Sequence, residues 1–189
     1  RILSTVIQTI PEDNVTLEEK NNILSIHSEN SRITINGNPS KDFPLIPKIK
    51  GGKKFNLSFL SLADGLKSVI PAVSRSDLKP EISGAFFKIE GKKMKLVATD
   101  TFRLAEKTMT LSSSEENKVS FVVPARTVEE LIRLFFEEGD EAVVTYSENQ
   151  VVFEIGDQTI TSRLIDGVFP EYGGIIPKNF ESTALVEKS

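Results

Sequence analysis

The sequence predicts an α+β protein with antiparallel sheets and its helices gathered on one side. Three observations carry that reading. Phe43-Pro44 and Phe169-Pro170 stand 126 residues apart, and each closes a stretch of one apolar helical segment, an acidic turn and three short β-like runs. A repeat of domain length signals tandem copies of one fold. The stretch between, residues 54–110, shows the same helix-then-strands order, so a complete domain reads as two β-α-β-β-β halves. Composition is that of a globular protein: 39% hydrophobic and 26% charged over 189 residues, room for one full domain and part of another. Too few residues precede Phe43 for a whole copy, so the chain is expected to open partway through one and to be a piece of a longer protein.

The elements follow in order. Ile2, Leu3, Val6, Ile7 and Ile10 recur at the i, i+3, i+4 spacing of an amphipathic helix, which Pro11-Glu12-Asp13-Asn14 ends. Strands are expected at 15–18, 23–27 and 32–36, with Asn21-Asn22 and Glu29-Asn30-Ser31 as tight turns. Residues 40–54, rich in Pro, Gly and Lys, read as an extended linker. Asn56 or Ser58 can cap a helix carrying Leu60, Ala63, Leu66, Val69 or Ile70, and Val73, with Pro71 kinking or shortening its last turn. Strands follow at 84–90, 94–99 and 103–110, the first two joined by the loop Gly91-Lys92-Lys93. Ser112-Ser113-Ser114-Glu115-Glu116 reads as an exposed crossing to a strand at 118–123. Pro124 precedes a helix with apolar Val128, Leu131, Ile132, Phe135 and Phe136, stopped by Glu137-Glu138-Gly139-Asp140. Strands at 142–146, 151–155 and 159–164 complete the second half.

Zero cysteines exclude disulfides, thiolate catalysis and cysteine-held metals, and suit a reducing cytoplasm. No run of eighteen apolar residues predicts a membrane span, and residues 1–6 lack signal-peptide architecture. A net charge of −4 argues against coating nucleic acid by bulk attraction, although a basic stripe on one face remains compatible with it. His27 is the one histidine and falls in a predicted strand, where a structural role is favoured over a Ser-His-Asp triad. Asp100 at a strand end reads as a turn carboxylate bonding local amides rather than a catalytic acid. With no carboxylate pair, metal-ligand cluster or phosphate loop, no enzyme activity, cofactor or metal is expected. Arg126 and Arg133 are seven apart and share a helix face, with Glu130 between them. From the residues alone this is either a solvated stripe or a contact for phosphates.

The strongest local signal is Val97-Ala98-Thr99-Asp100-Thr101-Phe102-Arg103-Leu104-Ala105, which resembles the A-T-D-x-x-R-L-A signature of the bacterial sliding clamp, the β subunit of DNA polymerase III. Residues 77–84, Val122-Val123-Pro124-Ala125-Arg126 and Asp166-Gly167-Val168-Phe169-Pro170-Glu171-Tyr172 resemble further motifs of that family, in the same order. The resemblance implies the DNA clamp fold, three domains of two β-α-β-β-β halves, helices inward and sheets outward, and two subunits joined head to tail in a ring. Residues 1–52 would be the back half of the first domain and its linker, 53–180 the second domain, and 181–189 the start of a linker into an absent third.

The resemblance also implies sites. DNA contact falls to Arg75, Ser76, Lys79, Arg126 and Arg133, with Lys67 a further candidate. A groove for short linear peptides falls to Ile82, Thr99, Thr101, Phe102, Arg103, Leu104, Pro170 and Ile175. Packing roles for Ile82 and Leu104, and a plain surface role for Arg103, are the alternatives that the residues alone favour. Thr101 stands where many relatives have Gly, Phe102 where His or Tyr is frequent, and Gly173-Gly174 where some are basic. The implied work is to encircle duplex DNA and tether the replicative polymerase. The implied partners are double-stranded DNA, the DNA polymerase III alpha subunit, the clamp loader and other proteins with clamp-binding motifs. The rival is a clamp-fold scaffold or peptide-binding protein that never encircles DNA. Half of the groove and both ring-joining surfaces would lie outside this chain, so weak peptide binding and no closed ring are expected of it alone.

Overall fold

The structure, a computed structural model, describes residues 2–43, 49, 51–76, 78–134, 140–177, 179, 181–185 and 187, with backbone only at 113–117. The chain divides into two compact units, Arg1–Pro47 and Lys48–Ser189. In the first, α1 (Ile2–Gln8) precedes an antiparallel meander of β1 (Thr16–Lys20), β2 (Ile23–His27) and β3 (Arg32–Asn36). Helix α1 ends before the expected Ile10. The Thr9 and Ile10 amides reach back only three residues, to the Val6 and Ile7 carbonyls at 3.0 and 3.1 Å, and Pro11 disfavours helix at the residue before it. Asn21 (φ 54°) and Asn22 (φ 63°) both adopt the left-handed conformation of a two-residue hairpin. That turn pairs Lys20 with Ile23, so β1 runs to Lys20 instead of stopping at residue 18. A short 3₁₀ turn, Ser40–Asp42, occupies the start of the expected linker. Pro44 to Lys48 and Lys50 lie outside the described residues.

In the second unit, β4 (Lys53–Ser58) leads directly into α2 (Phe59–Val69), so the strand begins within the stretch read as linker. Ser58 is the cap: its Oγ accepts from the Ser61 amide at 3.4 Å. Helix α2 buries Phe59, Leu62, Ala63, Leu66 and Val69, whereas Leu60, expected inside, is exposed. Pro71 shortens the helix into a 3₁₀ turn, Ile70–Ala72. A second 3₁₀ turn, Pro80–Ile82, precedes β5 (Gly84–Thr99), which is followed by β6 (Leu104–Pro124), α3 (Ala125–Arg133), β7 (Glu141–Tyr146), β8 (Gln150–Ile155) and β9 (Gln158–Arg163). Leu134 is already extended (ψ 140°), so α3 stops at Arg133. Phe135 to Gly139, expected as its last turn and stop, lie outside the described residues.

The expected loop Gly91-Lys92-Lys93 and the expected crossing at 112–116 both lie within the long extended runs β5 and β6. The reason is pairing. Gly84 to Ile89 pair with Pro124 to Val119, Gly91 with Glu115, and Lys93 to Thr99 with Thr110 to Leu104, the register shifting on either side of Gly91. Gly91 has φ 60°, open to glycine at little cost. Phe86 and Val97 nevertheless join one apolar cluster, although a straight strand at ~3.3 Å per residue would hold them tens of ångströms apart. Strand β5 therefore folds back at Gly91, where the loop was expected, and its pairing changes register on both sides of that residue.

The two halves exchange their first strands. β4, ahead of the first helix, pairs with β7 of the second half in the sheet β4-β7-β8-β9, and the end of β6, ahead of the second helix, pairs with the start of β5 in the first half. Alternation along β5 splits the apolar residues. Ala85, Phe87, Ile89, Met94, Leu96 and Ala98 face the main core, with Leu62 and Leu66 of α2 and Val128 and Leu131 of α3. Phe86 and Val97 face the other way, into a second cluster with Ile82, Val122, Phe169 and Tyr172. Both helices thus lie on one side of the β5–β6 sheet.

Candidate functional site

On the side away from the helices, the turn between β5 and β6 is built by Asp100. Its Oδ1 accepts from the Phe102 and Arg103 amides, both at 3.0 Å, and its Oδ2 from Arg103 Nε at 3.0 Å. Those two amide bonds, with help from the guanidinium, hold the Asp100 carboxyl below the usual range. Thr99 Oγ1 donates to the Arg103 carbonyl at 2.8 Å and accepts from the Thr101 amide at 3.1 Å. The turn so fixed holds Thr101 at φ 77° and leaves the Phe102 side chain 95% exposed. Arg103 is exposed too, its guanidinium on Asp100 at one edge and open at the other.

Beneath this turn lies the second apolar cluster. Leu104 packs on it half-buried, while Ile82 is fully inside and offers support rather than surface. After β9 the chain crosses to this face, the Ile165 amide donating to the Val122 carbonyl at 3.0 Å. Phe169 then stacks on Phe86, centroids 4.5 Å apart, and meets Tyr172 edge-on. Between and beyond these anchors Pro170 and Ile175 are exposed. The structure thus gathers Thr99, Thr101, Phe102, Arg103 and Leu104 in one turn, over the same cluster that anchors the segment bearing Pro170 and Ile175. Two residues of this region, Lys95 and Glu106, were not singled out by sequence. Tyr172 donates its hydroxyl to Glu106 Oε2 at 2.7 Å, and Lys95 Nζ meets both Glu106 oxygens at 2.9 and 3.1 Å. Partial burial opposes the Glu106 charge, but the bonds from Tyr172 and Lys95 outweigh it and keep the carboxyl below its ordinary range. Burial, then the bond to Glu106, push the Tyr172 phenol up. A contact 66 residues long in sequence leaves no local signal.

On the helix side, Arg126 and Arg133 are exposed on α3 and line one cavity of about 450 Å³ with Glu130 and Ile160. Arg133 also lines a second, of about 450 Å³, with Arg75, Ile70 and Glu129. Arg75, Arg126 and Arg133 are therefore neighbours along one surface. Glu130 tempers it, reaching Arg133 at 3.2 Å. Ser76 and Lys79 lie exposed on the adjoining loop, where Ser76 Oγ accepts from the Leu78 amide. Lys67 pairs loosely with Asp64 at 4.0 Å. Among the described residues no group of three or more His, Asp or Glu could hold a metal. His27 sits in the first unit, paired through its backbone with Thr16 and Arg32.

An α+β domain of two β-α-β-β-β halves, helices on one side of the sheets, is the sliding-clamp fold. It superposes on a Helicobacter pylori beta clamp bound to DNA ligase peptide with TM-score 0.81 at 26% identity, covering 96% of this chain and 51% of that one. It superposes on the Bacillus subtilis DNA polymerase sliding clamp with TM-score 0.80 at 25% identity, covering 94% and 47%. Residues 57–171 match the family described as DNA polymerase III beta subunit, central domain, and the chain belongs to that family. The beta sliding clamps of Synechocystis and Synechococcus elongatus are 29% and 30% identical to it over the whole chain, which covers 53% and 51% of theirs. The chain thus spans about half the length of the curated relatives it matches.

Proposed function

We propose that this chain is part of a sliding clamp that encircles duplex DNA and tethers the replicative DNA polymerase, so that rebinding becomes a local event. The observation that carries the reading is the two-faced second unit. Arg75, Arg126 and Arg133 gather on the helix side, suited to phosphates without base readout. The turn at Thr101 to Leu104 and the segment bearing Pro170 and Ile175 share the opposite side, suited to a short linear peptide. On this reading the nucleotidyltransferase chemistry belongs to the polymerase and none to this chain. Residues 1–52 close a first domain, 53–180 form the central one and 181–189 lead to a third, in a cytoplasmic homodimeric ring. The polymerase alpha subunit, the clamp loader and other motif-bearing proteins would share the groove.

Charge reversal of Arg126 and Arg133 together in the full-length clamp is expected to cut processivity, read by primer extension at physiological salt. Unchanged extension overturns the DNA part. The Helicobacter pylori DNA ligase peptide, titrated into the 189-residue chain by NMR, is expected to bind more weakly than micromolar and to shift Thr99, Thr101, Leu104 and Ile175. Binding that leaves those four unmoved overturns the groove. The Glu130–Arg133 pair favours the second reading, a clamp-fold peptide binder that does not encircle DNA. That reading predicts the peptide shifts together with unchanged extension.

A further inference from the structure

From Asp166 to Pro177 the chain runs over the outer side of the β5–β6 sheet, and along it only Phe169 and Tyr172 are buried. Phe169 is held against Phe86 chiefly by apolar burial, which is non-directional. Tyr172 is held by a directional bond to Glu106, itself gripped by Lys95. Glu106 stands two residues past Leu104 on β6, so both project from the same face of the strand. On the other side, the Ile175 amide donates to the Tyr172 carbonyl at 3.0 Å, so the backbone of Tyr172 places Ile175. A continuous chain of contacts therefore runs from β5 through Glu106 and Tyr172 to Ile175.

The geometry points to Lys95, Glu106 and Tyr172 as positioning residues that hold the segment bearing Pro170 and Ile175 at a set distance from Leu104, and so fix the width of the peptide groove. This rests on the peptide-binding reading above. None of the three needs to touch the peptide. The packing of Phe169 keeps the segment on the sheet, and the polar network decides where its far end stands.

The test uses the 189-residue chain and the variants Tyr172→Phe, Glu106→Ala and Glu106→Gln. NMR follows exchange of the Ile175 amide and titration with the Helicobacter pylori DNA ligase peptide, with β8 amides as the control for folding. Tyr172→Phe and Glu106→Ala are expected to speed Ile175 exchange by about tenfold, the size of one lost charge-assisted hydrogen bond, and to weaken the peptide several-fold. Glu106→Gln keeps a carbonyl acceptor for the phenol and is expected to restore most of both. A merely structural loss would speed β8 exchange as well and would not be rescued by glutamine. Unchanged Ile175 exchange in Tyr172→Phe and Glu106→Ala overturns the network's role. Faster exchange with unaltered peptide affinity overturns its link to the groove. If the unmodified chain takes up no peptide, the groove reading falls, and the exchange measurements still decide whether the network holds the segment.

Discussion

Asp100 and Thr101 show opposite sides of one turn. The carboxylate satisfies three donors and closes the loop between β5 and β6. The next residue bears the cost: Thr101, β-branched, stands at φ 77°, a conformation open to glycine and unfavourable for L side chains by about 1–2 kcal/mol. Thr101→Gly is expected to stabilise the second unit by about 0.5–1 kcal/mol, the relieved strain exceeding the entropy that glycine adds to the unfolded chain. Urea unfolding followed by circular dichroism measures it, and a loss of stability would show that Thr101 is not strained. The turn-forming role of Asp100 was legible, because Asp near a strand end commonly caps its own turn. The left-handed residue was legible only through the family's glycine at that place.

At the scale of elements, α2 lies close to the sheet at Gly65, where a Cβ would meet the Met109 methyl and Leu96, so that a side chain there requires Met109 to shift. Gly65→Val is expected to cost about 2 kcal/mol by overpacking, seen as a lower urea midpoint at an unchanged slope. An unshifted midpoint would mean that Met109 yields freely. Periodicity and turn residues made β2, β3 and most of both helices legible, since those signals act over a few residues. They failed where distant pairing decides. The runs at 84–99 and 104–124 were read in pieces around Gly91 and Ser112, because nothing nearby reveals that Gly91 pairs with Glu115 across the sheet. The outward cluster around Phe169 escaped for a related reason. Phe86 and Val97 read as strand residues, and the aromatic that covers them arrives from far along the chain. Of the candidate site, the turn and the arginine face could be placed from motif and spacing, whereas Glu106 and Lys95 could not.

At the scale of the whole second unit, the exchange of first strands bears on how the molecule comes into being. Neither half can complete its own sheet: β4 finishes the sheet of the second, and the end of β6 finishes that of the first. Chains 1–114 and 115–189 made separately are expected to leave β5 and β8 amides unprotected from exchange, and mixing them to restore protection in both. A half that protects its own sheet alone would refute this. The requirement is that of a two-part reporter: each fragment is mute until its counterpart arrives. Synthesised as one polypeptide, the domain must wait for its last strands before its first ones settle, and damage to either half is registered by both.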